Sequence, residues 1–161
     1  MMSENQPVVG KAAPAFSLVN QDGETIKLKD FKGEKNVVLY FYPKAMTPGC
    51  TTQACGIRDS KKKFAAVDTV VLGVSPDAEK SLIKFREKED LNFDLLSDPD
   101  HTVAEAYGAW GMKKLYGREY EGLIRSTFII GKDGKLKYAV PKVNTKTHHD
   151  DVLKWIKENL D

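Results

Sequence analysis

Two cysteines, Cys50 and Cys55, are the only thiols in this chain, and they stand five residues apart at the end of the run Val37 to Gly56, VVLYFYPKAMTPGCTTQACG. After Cys50, the residues Ala54, Ile57, Lys61 and Phe64 recur three or four apart, which is helical spacing. Cys50 is therefore expected in the first turn of a helix. There the unpaired backbone N–H groups and the positive end of the macrodipole favour a thiolate over a thiol. A cysteine so placed is a candidate nucleophile at neutral pH. A buried, inert thiol is the competing reading, and position alone leaves both open.

Cys55 gives that chemistry a second step. On a regular helix, Cα atoms five residues apart lie about 8.6 Å from each other, with side chains about 140° apart. A disulfide needs Cα atoms within roughly 7 Å and converging Cβ atoms, so the pair cannot be bridged inside one intact helix. Gly56 is expected to ease unwinding, since an interior glycine costs a helix roughly 1 kcal/mol relative to alanine. If an oxidant converts Cys50 to a sulfenic acid, fraying of the helix start would bring Cys55 within reach to condense with it.

The elements that must position these residues follow from periodicity. Val37 to Tyr42 is an unbroken β-branched and aromatic run, as expected of a strand buried on both faces. Pro43 ends it, Thr47, Pro48 and Gly49 form a turn, and the helix is expected to run to about Ala66. Thr69 to Val74 is a second apolar strand. Ser75-Pro76-Asp77 then reads as a turn with an N-cap before a helix from Ala78 to Glu89. This strand–helix alternation indicates an α/β fold with parallel strands.

Around that centre, the apolar residues from Phe16 to Leu28 flank a Gln-Asp-Gly turn and read as a β-hairpin. Phe93, Leu95 and Leu96 give a brief strand, and Thr102 to Tyr107 a short helix. Gly108 to Gly122 contains four glycines and is expected to be an irregular loop that lines the site. Within it, Trp110 and Tyr116 read equally as pocket walls or as ordinary packing. Arg125 leads into a strand, Ser126 to Ile130, which returns through Lys132-Asp133-Gly134-Lys135 to Leu136, Tyr138 and Val140. Thr147, with Asp150, forms an approximate capping box for a closing helix with Val152, Leu153, Ile156 and Leu160 on its apolar face.

Composition bounds the function. A chain of 161 residues with 41% hydrophobic content is expected to be one globular domain, with a loose terminus over residues 1–9. Its 25 basic and 23 acidic residues are interspersed, which gives no support for a nucleic-acid surface. Lys61 to Lys63 and Lys113 to Lys114 read as solvated faces. No apolar run suits a signal peptide or a membrane span, so a cytoplasmic protein is expected, with its two cysteines a working pair rather than a staple. His101 is expected in solvent, and His148 and His149 at the start of an exposed helix, where no metal site is expected. Thr47 could be only an N-cap and Arg125 only a surface ion-pair partner.

The run Pro43-Lys44-Ala45-Met46-Thr47-Pro48-Gly49-Cys50 resembles the peroxiredoxin signature of proline, three residues, threonine, two residues and cysteine. Its extension to Gly56 is similar to the bacterioferritin comigratory protein group, also called peroxiredoxin Q. Further matches are Leu95-Leu96-Ser97-Asp98, Tyr116-Gly117, Arg125-Ser126-Thr127-Phe128 and His148-His149-Asp150. The resemblance implies a thioredoxin-like fold, a central mixed sheet flanked by helices. It implies a monomer that reduces hydrogen peroxide and organic hydroperoxides without a metal or organic cofactor and is regenerated by thioredoxin. It implies Cys50 as the peroxidatic cysteine, Cys55 as the resolving one, Thr47 and Arg125 holding the peroxide oxygens, and Pro43 shielding the thiolate. Many relatives carry an acidic and a polar residue at Ala45 and Met46, positions expected to tune access.

By class, the competing readings are a disulfide oxidoreductase and a redox-switched binding or chaperone protein. Oxidoreductase sites usually place two residues between their cysteines, whereas four intervene here.

Overall fold

A computed structural model describes residues 7–160; of the terminus expected over residues 1–9, residues 1–6 lie outside the described part. In chain order the elements are β1 (Ser17–Asn20), β2 (Thr25–Lys27), a 3-10 turn (Leu28–Phe31), β3 (Asn36–Phe41), α1 (Pro48–Asp59) and α2 (Lys61–Ala65). Then come β4 (Thr69–Ser75), α3 (Glu79–Glu89), β5 (Asp94–Ser97), α4 (Thr102–Ala106), β6 (Trp110–Leu115) and β7 (Arg118–Leu123). The chain closes with β8 (Ser126–Ile130), β9 (Leu136–Ala139) and α5 (His148–Asn159). Among the described residues no helix is long and apolar enough to cross a membrane.

Seven strands form one sheet in the order β2-β1-β5-β4-β3-β8-β9. β3, β4 and β5 are parallel, β8 lies antiparallel to β3, and β1 pairs antiparallel with β5, so the sheet is mixed. The expected N-terminal hairpin is β1–β2, and it lengthens one edge of the sheet. The lack of alternation in β3 is explained by its two faces. Val38 and Tyr40 project into a core under α1, α2, α3 and α5, whereas Val37, Leu39 and Phe41 project into a second core with Tyr107 and Phe128. All six residues of β3 are buried.

Three expectations about these elements are corrected. The helix expected to reach Ala66 breaks at Ser60 (φ −103°, ψ 7°), and the redirected chain sets Phe64 of α2 in the core. The loop expected over Gly108 to Gly122 is a hairpin, with β6 and β7 paired from Trp110↔Leu123 to Leu115↔Arg118. Its turn is Tyr116-Gly117, both at positive φ (51° and 78°), the two-residue geometry that matches strand twist and suits glycine at its second position. The hydroxyl of Thr147 donates to Asp151 Oδ2 at 2.7 Å rather than forming a box with Asp150.

Candidate active site

β3, at the centre of the sheet, delivers the chain into the loop Tyr42 to Thr47, and α1 begins at the end of that loop. Thr47 is the N-cap of α1 and Pro48 its first residue, a position where proline loses no helical hydrogen bond. Cys50 is thus the third residue of α1, as expected, and it is 1% exposed. Thr47 makes no side-chain cap bond. Its hydroxyl donates instead to the Lys44 carbonyl at 2.8 Å, closing the loop on itself, and its own carbonyl accepts from Thr51 N–H at 2.9 Å. Pro43 opens the loop, half-buried.

Arg125, just before β8, reaches this turn because β8 lies beside β3, with Ser126 opposite Phe41. Its Nη2 is 3.3 Å from Cys50 Sγ, and its Nη1 donates to Gln53 Oε1 at 2.5 Å. The guanidinium crosses the start of the helix so closely that a Cβ on Gly49 would stand 3.4 Å from Nη2. Gln53, fully buried, was missed by the sequence reading. Its i+3 spacing from Cys50 was the available signal, since residues so spaced share a helix face.

Behind the sulfur lies a buried aromatic and polar layer. Tyr40 stacks at a tilt against Tyr42 and His148, each at 5.5 Å between ring centroids. Burial raises the Tyr40 phenol well above its usual range, with Tyr42 and Cys50 adding to the shift and Arg125 opposing it. Tyr40 is therefore a neutral wall. His148 is not at the exposed start of a helix: it is 1% exposed, and its Nε2 lies 2.8 Å from Thr127 Oγ1. Burial lowers its pKa to about 4, helped by His149 and Arg125 and opposed by Asp151. His101, expected in solvent, stacks on Trp110 at 3.8 Å, so Trp110 is packing. Tyr116 is 95% exposed at the hairpin tip and walls no pocket.

The structure brings Cys50, Arg125 and the Thr47 loop together and leaves Cys55 apart. Cys55 is about 1.4 turns further along the same helix, partly exposed, with its Sγ 3.9 Å from Glu89 Oε1. Burial raises the Cys55 thiol, Arg58 lowers it and Glu89 raises it. Both cysteines are free. Among the described residues no three His, Cys, Asp or Glu side chains cluster closely enough to hold a metal ion. A sulfur in a helix's first turn, faced by a fixed cation, can attack an electrophile and release an anion; the second sulfur can reach it only after α1 opens.

The chain matches the AhpC/TSA family over residues 9–139. It is 51% identical over 150 residues to peroxiredoxin Bcp of Escherichia coli, covering 93% of this chain and 96% of that one. Peroxiredoxin Bcp of Bacillus subtilis is 50% identical over 150 residues, covering 93% and 95%. Among solved structures, the bacterioferritin comigratory protein of Xanthomonas campestris superposes with a TM-score of 0.88 at 32% identity, covering 96% of this chain and all of that one.

Proposed function

We propose, from the premise that this chain belongs to the AhpC/TSA family as a thiol peroxidase of the peroxiredoxin Bcp and Q group, that its peroxide chemistry runs through Cys50 and is completed by Cys55. The observation that carries the reading is the guanidinium Nη2 of Arg125, 3.3 Å from a sulfur in the first turn of α1. The Cys50 thiolate attacks one peroxide oxygen, the O–O bond breaks, and the other oxygen leaves as an alkoxide or hydroxide that takes up a proton. Cys50 becomes a sulfenic acid, and the products are an alcohol or water. Negative charge moves from sulfur to the leaving oxygen, so donors fixed along that line stabilise the transition state more than the ground state.

Each residue has a place in that step. Arg125 supplies a permanent cation with several donors, held by Gln53, to the sulfur and the peroxide oxygens. Thr47, with its hydroxyl proton committed to Lys44, turns lone pairs outward to accept from the peroxide O–H. Pro43 shields the thiolate from water. Then α1 unwinds locally, the Cys55 sulfur attacks the Cys50 sulfenic sulfur, water leaves, and a disulfide forms. A dithiol reductant of the thioredoxin kind returns both thiols. Because both sulfurs lie on one helix, a monomer acting as a single domain over residues 1–161 suffices, and thiols in need of re-reduction suit the cytoplasm.

Peroxide consumption by purified protein with thioredoxin, its reductase and NADPH tests this reading, alongside intact mass after one equivalent of peroxide. Catalytic turnover and a loss of two hydrogens, with monomeric mass kept, are expected. Stoichiometric oxidation without turnover would overturn it in favour of a redox-switched binding protein.

A further inference from the structure

The loop between β3 and Cys50 holds an unfavourable backbone conformation at Met46. Met46 takes φ +66°, the left-handed region, where a Cβ crowds the following carbonyl oxygen, and the residue is 39% exposed. Such a conformation persists only where the surroundings over-determine it. Thr47, bonded to Lys44, ties the loop only to itself. Among the described residues, one side-chain hydrogen bond ties the stretch from Pro43 to Thr47 to the rest of the molecule: Ala45 N–H donates to Asp77 Oδ2 at 2.7 Å.

Asp77 lies between β4 and α3, where it read as part of a turn with a helix cap. Ala78, not Asp77, is the N-cap of α3, and among the described residues the Asp77 carboxylate accepts from Ala45 N–H rather than from the N–H groups of that helix. It is itself braced from both sides. Its N–H donates to Ser75 Oγ at 3.3 Å, and its carbonyl accepts from Ser97 Oγ of β5 at 2.6 Å. A chain of bonds therefore runs from β5 through Asp77 to Ala45, which is 4% exposed and five residues before Cys50. Half-buried charge-assisted bonds of this kind are roughly twice as strong as neutral ones.

We propose that Asp77 is a positioning residue for the peroxidase site: its carboxylate fixes the Pro43–Thr47 loop, and through it the Thr47 hydroxyl and the first turn of α1 carrying Cys50. It touches neither sulfur nor peroxide. This inference rests on Cys50 being the attacking sulfur. What the loop needs from Asp77 is the acceptor oxygen rather than the charge, since a carboxylate beside the site would by itself repel the thiolate. Asparagine, which keeps an acceptor oxygen of the same reach, can replace it; alanine cannot.

The test is the second-order rate of the first oxidation, followed by stopped flow with hydrogen peroxide, for wild type, Asp77→Ala, Asp77→Asn and Cys50→Ser. Expected are a drop of roughly tenfold for Asp77→Ala, the loss of one charge-assisted bond's positioning, and recovery to within about threefold for Asp77→Asn. The KM for peroxide should rise with loss of the Thr47 geometry, while thermal unfolding shows the alanine variant folded. A wild-type rate in folded Asp77→Ala, or an asparagine variant as slow as alanine, overturns the proposal. Full activity in Cys50→Ser would instead overturn the nucleophile assignment, leaving the two failures distinguishable.

Discussion

The two halves of α1 carry one cysteine each and differ in what surrounds the sulfur. At the N-terminal end Cys50 is 1% exposed, faced by Arg125 and Gln53, and preceded by a loop tied to β5 through Asp77. Past the middle, Cys55 is partly exposed, and its sulfur has a weak contact with Glu89 at 3.9 Å. Beyond it the helix is fastened again, where Arg58 Nη1 donates to the Glu89 carbonyl at 2.6 Å and Asn92 Nδ2 to the Arg58 carbonyl at 3.2 Å. A nucleophile profits from a fixed environment because rate depends on preorganisation. A sulfur that must travel profits from having little to lose. Under the proposed roles, the same helix offers a preorganised place for attack and, at Cys55, a sulfur that gives up little on leaving its place.

Breaking the preorganised end should have the largest effect. Cys50→Ser should lose peroxide turnover to background in the coupled NADPH assay, and retained turnover would remove Cys50 from the chemistry. Cys55→Ser should leave the first oxidation at the wild-type rate, yet yield a stable sulfenic acid, seen by mass as one added oxygen, in place of the disulfide. Undiminished turnover of that variant in the coupled assay would rule Cys55 out. Arg125→Ala should slow the first oxidation on the order of a hundredfold, the typical loss for a preorganised donor at a developing charge. Arg125→Lys should recover only part of this, because an ammonium cannot bind Gln53 and face the sulfur as one fork.

The preorganised end was legible in part. The strand Val37 to Tyr42 and the helix start at Cys50 are written locally, in an unbroken apolar run and a Thr-Pro-Gly turn. Arg125 stands 75 residues away, and only the resemblance to a family pointed to it; sheet pairing, which no local pattern encodes, brings it to the sulfur. Asp77 was hidden by type, since an aspartate before a helix reads as a cap. His148 was misplaced as exposed, although it heads the series His148, Val152 and Ile156, whose i, i+4, i+8 spacing puts it on the buried face. The β6–β7 hairpin was missed because its strands face solvent too much to alternate, with Arg118 to Glu121 all exposed.

Acid should reach the preorganised end through His148. Its pKa falls from 6.5 to about 4 on folding, so between these values the unfolded chain binds more protons and stability rises with pH. The contribution is fully present above about pH 6.5 and is lost as pH falls towards 4, up to about 3 kcal/mol at 1.36 kcal/mol per unit. Urea unfolding from pH 4 to 8 should show this slope in the wild type and a flatter one in His148→Asn. Equal slopes would place the titrating group elsewhere.

The smallest effect concerns Gly56, one residue past Cys55. The sequence suggested a weak point that helps the helix unwind, but the structure gives it a packing role. A Cβ there would stand 2.7 Å from Cε1 of His149 on α5, and closer still to Nδ1, so the bare Cα is where α1 and α5 approach. Gly56→Ala therefore sets a helix gain of roughly 1 kcal/mol against an overpacking cost of about 1–3 kcal/mol. A net loss of up to about 2 kcal/mol is expected in thermal or urea unfolding. Removing the obstructing ring separates the two contributions. In a His149→Ala background, Gly56→Ala should stabilise the protein, and by stiffening α1 beside Cys55 it should slow disulfide formation a few-fold after peroxide treatment. If alanine destabilises equally in both backgrounds, His149 does not set the limit at this position, and if disulfide formation keeps its rate while the helix is firmer, the opening of α1 does not govern delivery of Cys55.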